Sequence, residues 1–236
     1  ENRVQTVDLV IKDIGWLITV DRERRVIRDA AIAVDGGKIV AVGKSAELAK
    51  AYNGRKTVDG RNTVATPGLI DCHLHSSFQL SRGLADEANA QSFLFDRMYP
   101  YEAALDHDDV RVSATLAATE LLKHGVTCFI DPGNYHPEAS VEGVMATGIR
   151  MTVSRSSFDL TKSVLGVLPE RMIENTAMCL ERAEAVLEKY ARTGNRRLSA
   201  SASFRGLNNA SDELILGLDR LAKKYGTLLQ TRACFS

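Results

Sequence analysis

The rhythm of apolar and polar positions changes near residue 66. Before it, short β-like runs follow one another (Val7 to Ile11, Trp16 to Val20, Ala31 to Val34, Lys38 to Val42), separated by turn signals such as Asp35-Gly36-Gly37 and Asp59-Gly60. A small β domain over 1–66 is predicted. After it, strand-like and helix-like patterns alternate. Val64, Leu69 and Ile70 mark a first strand, and further strands are expected at Val126 to Asp131, Ile149 to Arg155, Arg197 to Phe204 and Thr227 to Cys234. Between them, Val110, Ala114, Ala117 and Leu121 recur at helical spacing. So do Ile173, Ala177, Leu180, Ala183, Leu187 and Tyr190, and then Leu214, Leu218, Leu221 and Tyr225. These stripes are read as core faces, with Gly125 and Gly194 where helices should stop. Regular strand–helix alternation is the pattern of a parallel β/α barrel.

Chemistry enters directly after the first of those strands, at Cys72-His73-Leu74-His75. Alternate residues of an extended chain project to the same side, so His73 and His75 are expected to point together from its C-terminal end. Neutral imidazoles ligate zinc, iron and other first-row divalent ions. A catalytic centre needs about three protein ligands and an open position for water.

With Pro67-Gly68-Leu69-Ile70-Asp71 directly before that pair, and Ser81-Arg82-Gly83-Leu84-Ala85-Asp86 after it, the chain resembles the amidohydrolase superfamily. Within it the sequence looks most like the branch of nucleoside, guanine, pterin and triazine deaminases and chlorohydrolases. The resemblance implies a small β-sandwich ahead of a TIM-type (β/α)₈ barrel, with His73 and His75 on barrel strand one. It also implies hydrolytic deamination or dechlorination of an N-heterocyclic substrate by water activated on one divalent metal, zinc or alternatively iron. Binuclear relatives carry a carboxylated lysine on strand four. Leu198 to Ser203 contains no lysine, which favours the one-metal branch.

The remainder of the pattern departs from the family. A closed barrel takes eight strands and about 250 residues, whereas residues 67–236 have room for about five units of roughly 31 residues. An incomplete barrel over 67–236 is therefore expected. On strand five, Arg232 stands where the family has a third ligand histidine, and Phe235 where it has the proton-shuttling acid, so no catalytic acid is identifiable. A guanidinium offers no lone pair to a metal and repels a cation. Three explanations stay open: a truncated or frameshifted reading, a natural relative that has lost its metal, or a split enzyme completed by another chain. A metal-free remnant acting as a binding or structural module is the alternative function.

Substrate contacts are expected from Gln79, on the loop after strand one, and from Arg155, which ends strand three beside Ser156. In relatives acting on adenosine-like molecules a glutamate lies near the sugar hydroxyls, and Glu102 fits that position; otherwise it is a solvated carboxylate at a helix end. Asp131 either braces a ligand histidine or caps the turn into Pro132-Gly133. His107 and His124 are read as helix-terminal residues and His136 as a non-ligand.

Composition narrows the partners. Thirty basic and thirty acidic residues cancel, and no basic patch is interleaved with aromatics, so neither nucleic acid nor an anionic membrane is an expected partner. Apolar runs are too short to span a bilayer. Cys72, Cys128, Cys179 and Cys234 are widely spaced, as buried reduced thiols of a cytoplasmic protein would be. The expected partners are a small heterocyclic substrate, and either a second copy of the chain or a complementing polypeptide.

Overall fold

The computed structural model describes residues 3–160, 162–163 and 166–232; Cys234 and Phe235 lie outside the described residues. The chain divides into two units, Glu1–Gly68 and Leu69–Ser236.

In the first unit the two apolar runs expected at 7–11 and 16–20 form one 14-residue strand, β1 (Gln5–Ile18). It pairs antiparallel with β2 (Val26–Asp35), and a register shift between Ile11 and Ile14 lets a single strand bend instead of breaking. β3 (Lys38–Lys44) continues antiparallel on β2. Helix α1 (Ser45–Ala51), β4 (Tyr52–Asp59) and β5 (Val64–Ala65) follow, and both strands run parallel to β1. Hydrogen bonds thus join all five strands in one mixed sheet, where a sandwich was expected. Leu48 of α1 packs with Val7, Val10, Ala31 and Ala33, while Ile14, Leu17 and Ala30 form a separate cluster.

Val64 therefore belongs to the first unit, which corrects its placement on the histidine-bearing strand. That strand is only β6 (Leu69–Asp71). The second unit sets β7 (Val126–Ile130), β8 (Arg150–Val153) and β11 (Leu198–Ala200) beside it in the order β11-β8-β7-β6, all parallel. A two-residue strand pair, β9 (Lys162–Ser163) and β10 (Gly166–Val167), lies in the segment after β8. The expected fourth strand is interrupted at Ser201, whose N–H reaches Val153 O at 3.0 Å; beyond it β12 (Ala202–Ser203) pairs with β13 (Leu229–Gln230). Strand four so hands over from its neighbour on one side to its neighbour on the other, and five parallel strands succeed one another.

Helices α2 (Tyr99–Ala104), α3 (His107–Lys123), α4 (Pro137–Met145), α5 (Thr176–Tyr190) and α6 (Asp212–Tyr225) connect these strands. Asp106 and Asp109 form a reciprocal capping box at the start of α3. Asn175 and Ser211 cap α5 and α6, and Gly226, in the left-handed conformation at φ 65°, ends α6. The α5 stripe begins later than its spacing suggests: Ile173 precedes the helix and is exposed, and the buried face is Cys179, Ala183, Val186, Leu187 and Tyr190. The core sets Phe129, Met151, Val153 and Ala200 of the strands against Val144, Leu187, Leu214 and Leu218 of the helices. Asp159 ties two helix starts together: it accepts from Thr176 Oγ1 at 2.8 Å, from Ser211 N at 2.7 Å and from Ser211 Oγ. No described helix is long and apolar enough to cross a membrane.

Candidate active site

Parallel strands present their C-terminal ends on one side, and the chemistry-bearing residues collect there. His73 and His75 lie just past β6, their ring centroids 5.3 Å apart and nearly perpendicular, so the pair converges as its spacing predicts. His75 stacks on Phe78 at 4.8 Å. Its Nδ1 faces Gly133 O at 3.3 Å and so carries the ring proton. Nε2 is left as a lone pair, buried and without a hydrogen-bond partner.

The turn after β7 holds this arrangement. Asp131, wholly buried, accepts from Gly133 N at 2.8 Å and from both the amide and hydroxyl of Ser76. It therefore both caps its own turn and fixes the residue after His75. Burial pushes its carboxyl up to about 6, against the hydrogen bonds from Ser76 and Gly133. Gly133 sits at φ 107°, and a side chain there would meet Ser156 N at 2.5 Å.

Arg205, just past β12, is the residue that sequence reasoning missed. Its side chain is 2% exposed and forks onto Glu102, with Nη2 to Oε1 at 2.6 Å and Nη1 to Oε2. Nη2 also reaches Gly133 O at 3.3 Å, the same carbonyl that faces His75. Phe78, Tyr99 and Phe158 surround the guanidinium, their ring centroids 5.2–5.9 Å from it. Burial opposes its charge, but Glu102 outweighs burial and keeps it firmly protonated. Glu102 is thus a buried, paired group and not a solvated helix-end carboxylate.

Arg155 is likewise buried, bound to Glu174 at 2.6 Å and stacked 4.2 Å over Tyr135. With Glu102, Tyr135, His136, Arg171 and Glu174 it lines a cavity of about 170 Å³. Gln79 lies in the turn Ser76–Ser81, where its N–H binds Ser113 Oγ at 2.9 Å and its side chain receives Arg82 at 3.4 Å. Glu102 and Arg155 share this cavity; Gln79 does not line it. His107 faces Glu142 at 3.7 Å, His124 bonds its own helix at Glu120 O, and His136 faces Leu105 O at 3.2 Å.

The electrostatics bear on a metal. Burial, then the charges of Arg205 and Arg232, hold His75 well below the ordinary imidazole range; burial and Arg232 lower His73. Two neutral imidazoles with one unpartnered ring nitrogen suit half a metal site. Among the described residues no third His, Cys, Asp or Glu joins them, and Arg232 sets a positive charge beside them. These residues do not complete a metal centre.

Comparison with known proteins agrees with this architecture. The chain is 27% identical over 208 residues to the 5-methylthioadenosine/S-adenosylhomocysteine deaminase of Desulfovibrio desulfuricans, covering 88% of this chain and 45% of that protein. It is 32% identical over 168 residues to the protein of the same name from Syntrophobacter fumaroxidans, covering 71% of this chain and 38% of the relative. The chain thus spans about half the length of the curated relatives it matches, or less. Among solved structures, a zinc complex of atrazine chlorohydrolase from Arthrobacter aurescens superposes with a TM-score of 0.80 at 26% identity, over 94% of this chain and 52% of the other. A zinc-bound adenosine deaminase from Xanthomonas campestris shares the fold with a TM-score of 0.87 at 23% identity, over 98% and 50%. A bacterial imidazolonepropionase-like composite domain matches residues 30–52, and the amidohydrolase family model matches residues 64–234. That second match takes in every described strand of the second unit and both histidines: the chain belongs to the amidohydrolase family.

Proposed function

We propose that this chain supplies the strand-one half of an N-heterocycle hydrolase, a deaminase or dechlorinase, with a small β domain over 1–66 and an incomplete (β/α) barrel over 67–236. The observation that carries the reading is the convergence of His73 and His75 with His75 Nε2 buried and unpartnered. In this reading the pair provides two ligands to one divalent ion, zinc or iron, with the remaining ligands outside the described residues. Zinc in the related structures supports the choice of metal. Further polypeptide of the same protein, a second copy or a complementing chain would each be able to supply those ligands, and the cytoplasm is the setting for a protein of balanced charge.

Within the chain, substrate contacts fall to Glu102, Arg155 and Gln79. Arg205 clamps Glu102 and Glu174 clamps Arg155, so two contacts are held rigid before any ligand arrives. The cavity they share accepts a small polar group beside the Tyr135 ring.

A second reading, a metal-free binding module, is favoured by Arg232, whose charge falls on both imidazoles. Metal analysis of the purified protein, with an assay panel of guanine, pterins, adenosine derivatives and triazines, decides between them. About one zinc or iron per chain with release of ammonia or chloride supports the hydrolase. A metal-free protein inert to the whole panel sinks it.

A further inference from the structure

Two buried serines sit on helix faces that are otherwise apolar. Ser113 of α3 lies among Val110, Ala114, Ala117 and Ala118, and Ser140 of α4 among Ala139, Val141 and Val144; both are fully buried. A buried hydroxyl is costly unless it is hydrogen-bonded. The usual outlet on a helix is the carbonyl one turn back, which Thr115 and Thr119 use on α3. Ser113 and Ser140 bond outside their own helices instead, and both reach Ser76.

Ser76 follows His75, and every polar atom it has is taken. Its N–H and hydroxyl donate to Asp131 Oδ2, its carbonyl accepts from Ser113 Oγ at 2.8 Å, and its Oγ meets Ser140 Oγ at 3.1 Å. Ser113 Oγ also accepts from Gln79 N, so one hydroxyl pins both the start and the middle of the turn that follows the histidines. Ser140 reaches the opposite side as well: its Oγ accepts from Asn134 Nδ2 at 2.8 Å, and Asn134 is the residue after Gly133. The contacts close a ring. It runs from His75 through Ser76, Ser140, Asn134 and Gly133, and returns by Gly133 O to His75 Nδ1 at 3.3 Å. Asp131 braces the same ring from within, holding Ser76 and Gly133 N. The Nδ1 contact is the longest in the circuit, so the choice of imidazole tautomer depends on how firmly the other members are held.

We propose that Ser113 and Ser140 are positioning residues for His75. They act through Ser76 and Asn134, keeping Gly133 O at the Nδ1 edge of the imidazole so that Nε2 stays the unprotonated nitrogen. The inference rests on the reading above that His75 is a functional group of this chain, and it is indifferent to what Nε2 engages.

Long-range ¹H–¹⁵N NMR of the imidazole rings in the purified chain tests it, with the His75 signals assigned by their loss in His75→Gln. The parent should show one narrow set for His75, in the Nδ1–H form. Ser113→Ala and Ser140→Ala should each split that set into two tautomers or broaden it at least twofold. Val144→Ala is the control: it opens a cavity in the core beside α4 and lowers Tm, touches no member of the ring, and should leave His75 as in the parent. Should an alanine variant fail to fold, Ser113→Cys or Ser140→Cys replaces it, keeping the volume with a weaker hydrogen-bonding group, and the same broadening is expected. A His75 set unchanged in both serine variants, a parent already mixed between tautomers, or equal broadening in Val144→Ala would each overturn the proposal. The two ideas fail separately: the hydrolase reading falls to a metal-free protein inert to the assay panel, whereas this inference falls to the His75 spectrum alone.

Discussion

Glu102 and Arg205 stand 103 positions apart in sequence, yet they form a two-point ion pair in which neither side chain is more than 2% exposed. The pair joins α2 to the end of β12 and closes one side of the strand ends. A carboxylate and a guanidinium this deeply buried are tolerable only together, because each alone would be an uncompensated charge.

Arg205→Ala or Glu102→Ala alone should therefore cost about 3–5 kcal/mol. The double variant Glu102→Leu/Arg205→Met should recover most of that loss, since an apolar pair leaves no charge stranded. Urea denaturation of the three variants measures this, and a double variant no better than the singles would refute it.

The turn at Gly133 is conformationally exclusive. At φ 107° a Cβ is strained, and here it would also strike Ser156 N and the Arg155 backbone. Gly133→Ala should destabilise by at least about 1–3 kcal/mol from the backbone alone. It should also loosen His75, seen as broadening of that imidazole's NMR signals.

Asp131 predicts an unusual pH response. Its folded carboxyl titrates near 6, above its unfolded value, so the folded state binds the extra proton between about 4 and 6. Its contribution to stability is complete below about 4 and is lost as the pH rises through 6, amounting to roughly 3 kcal/mol by the linkage relation. Asp131→Asn removes the titration. The stability difference between variant and parent, followed by denaturant melts from pH 4 to 7, should change over that window and level off above it.

The thiols should separate by reactivity. Cys179 donates to Phe158 O at 2.8 Å, and burial pushes its thiol up to about 12; Cys72 is exposed. Alkylation of the native protein at pH 8, read by peptide mass spectrometry, should modify Cys72 within minutes and spare Cys179 until the protein is unfolded. Rapid native labelling of Cys179 would contradict the packing of α5.

Much of this architecture was legible because it is written in local patterns. Alternation along an extended chain was enough to bring His73 and His75 together, and the stripe on α6 matched its buried face. Features set by partners distant in sequence were not. Arg205 carries no local signature, since only the fold sets the end of β12 against Glu102 of α2 and against the Gly133 carbonyl in the turn after β7. Helix α4 was hidden for a different reason: it begins with proline, runs for only nine residues and has Ala, Ser and Gly at three of them, too short a stretch to show a clear stripe. Those small residues serve close packing, for a Cβ at Gly143 would meet Thr115 Oγ1 of α3 at 2.7 Å. Val64 was misplaced because apolar character does not say which unit a two-residue strand will join; its hydrogen bonds to β1 do.

The carboxylate of Asp159 gathers the N-terminal ends of α5 and α6 on one anchor, at the positive poles of both dipoles. Neither helix can fray from its beginning without releasing the other. In hydrogen exchange the first turns of these two helices, though separate in sequence, should open as one cooperative block, and Asp159→Ala should uncouple them.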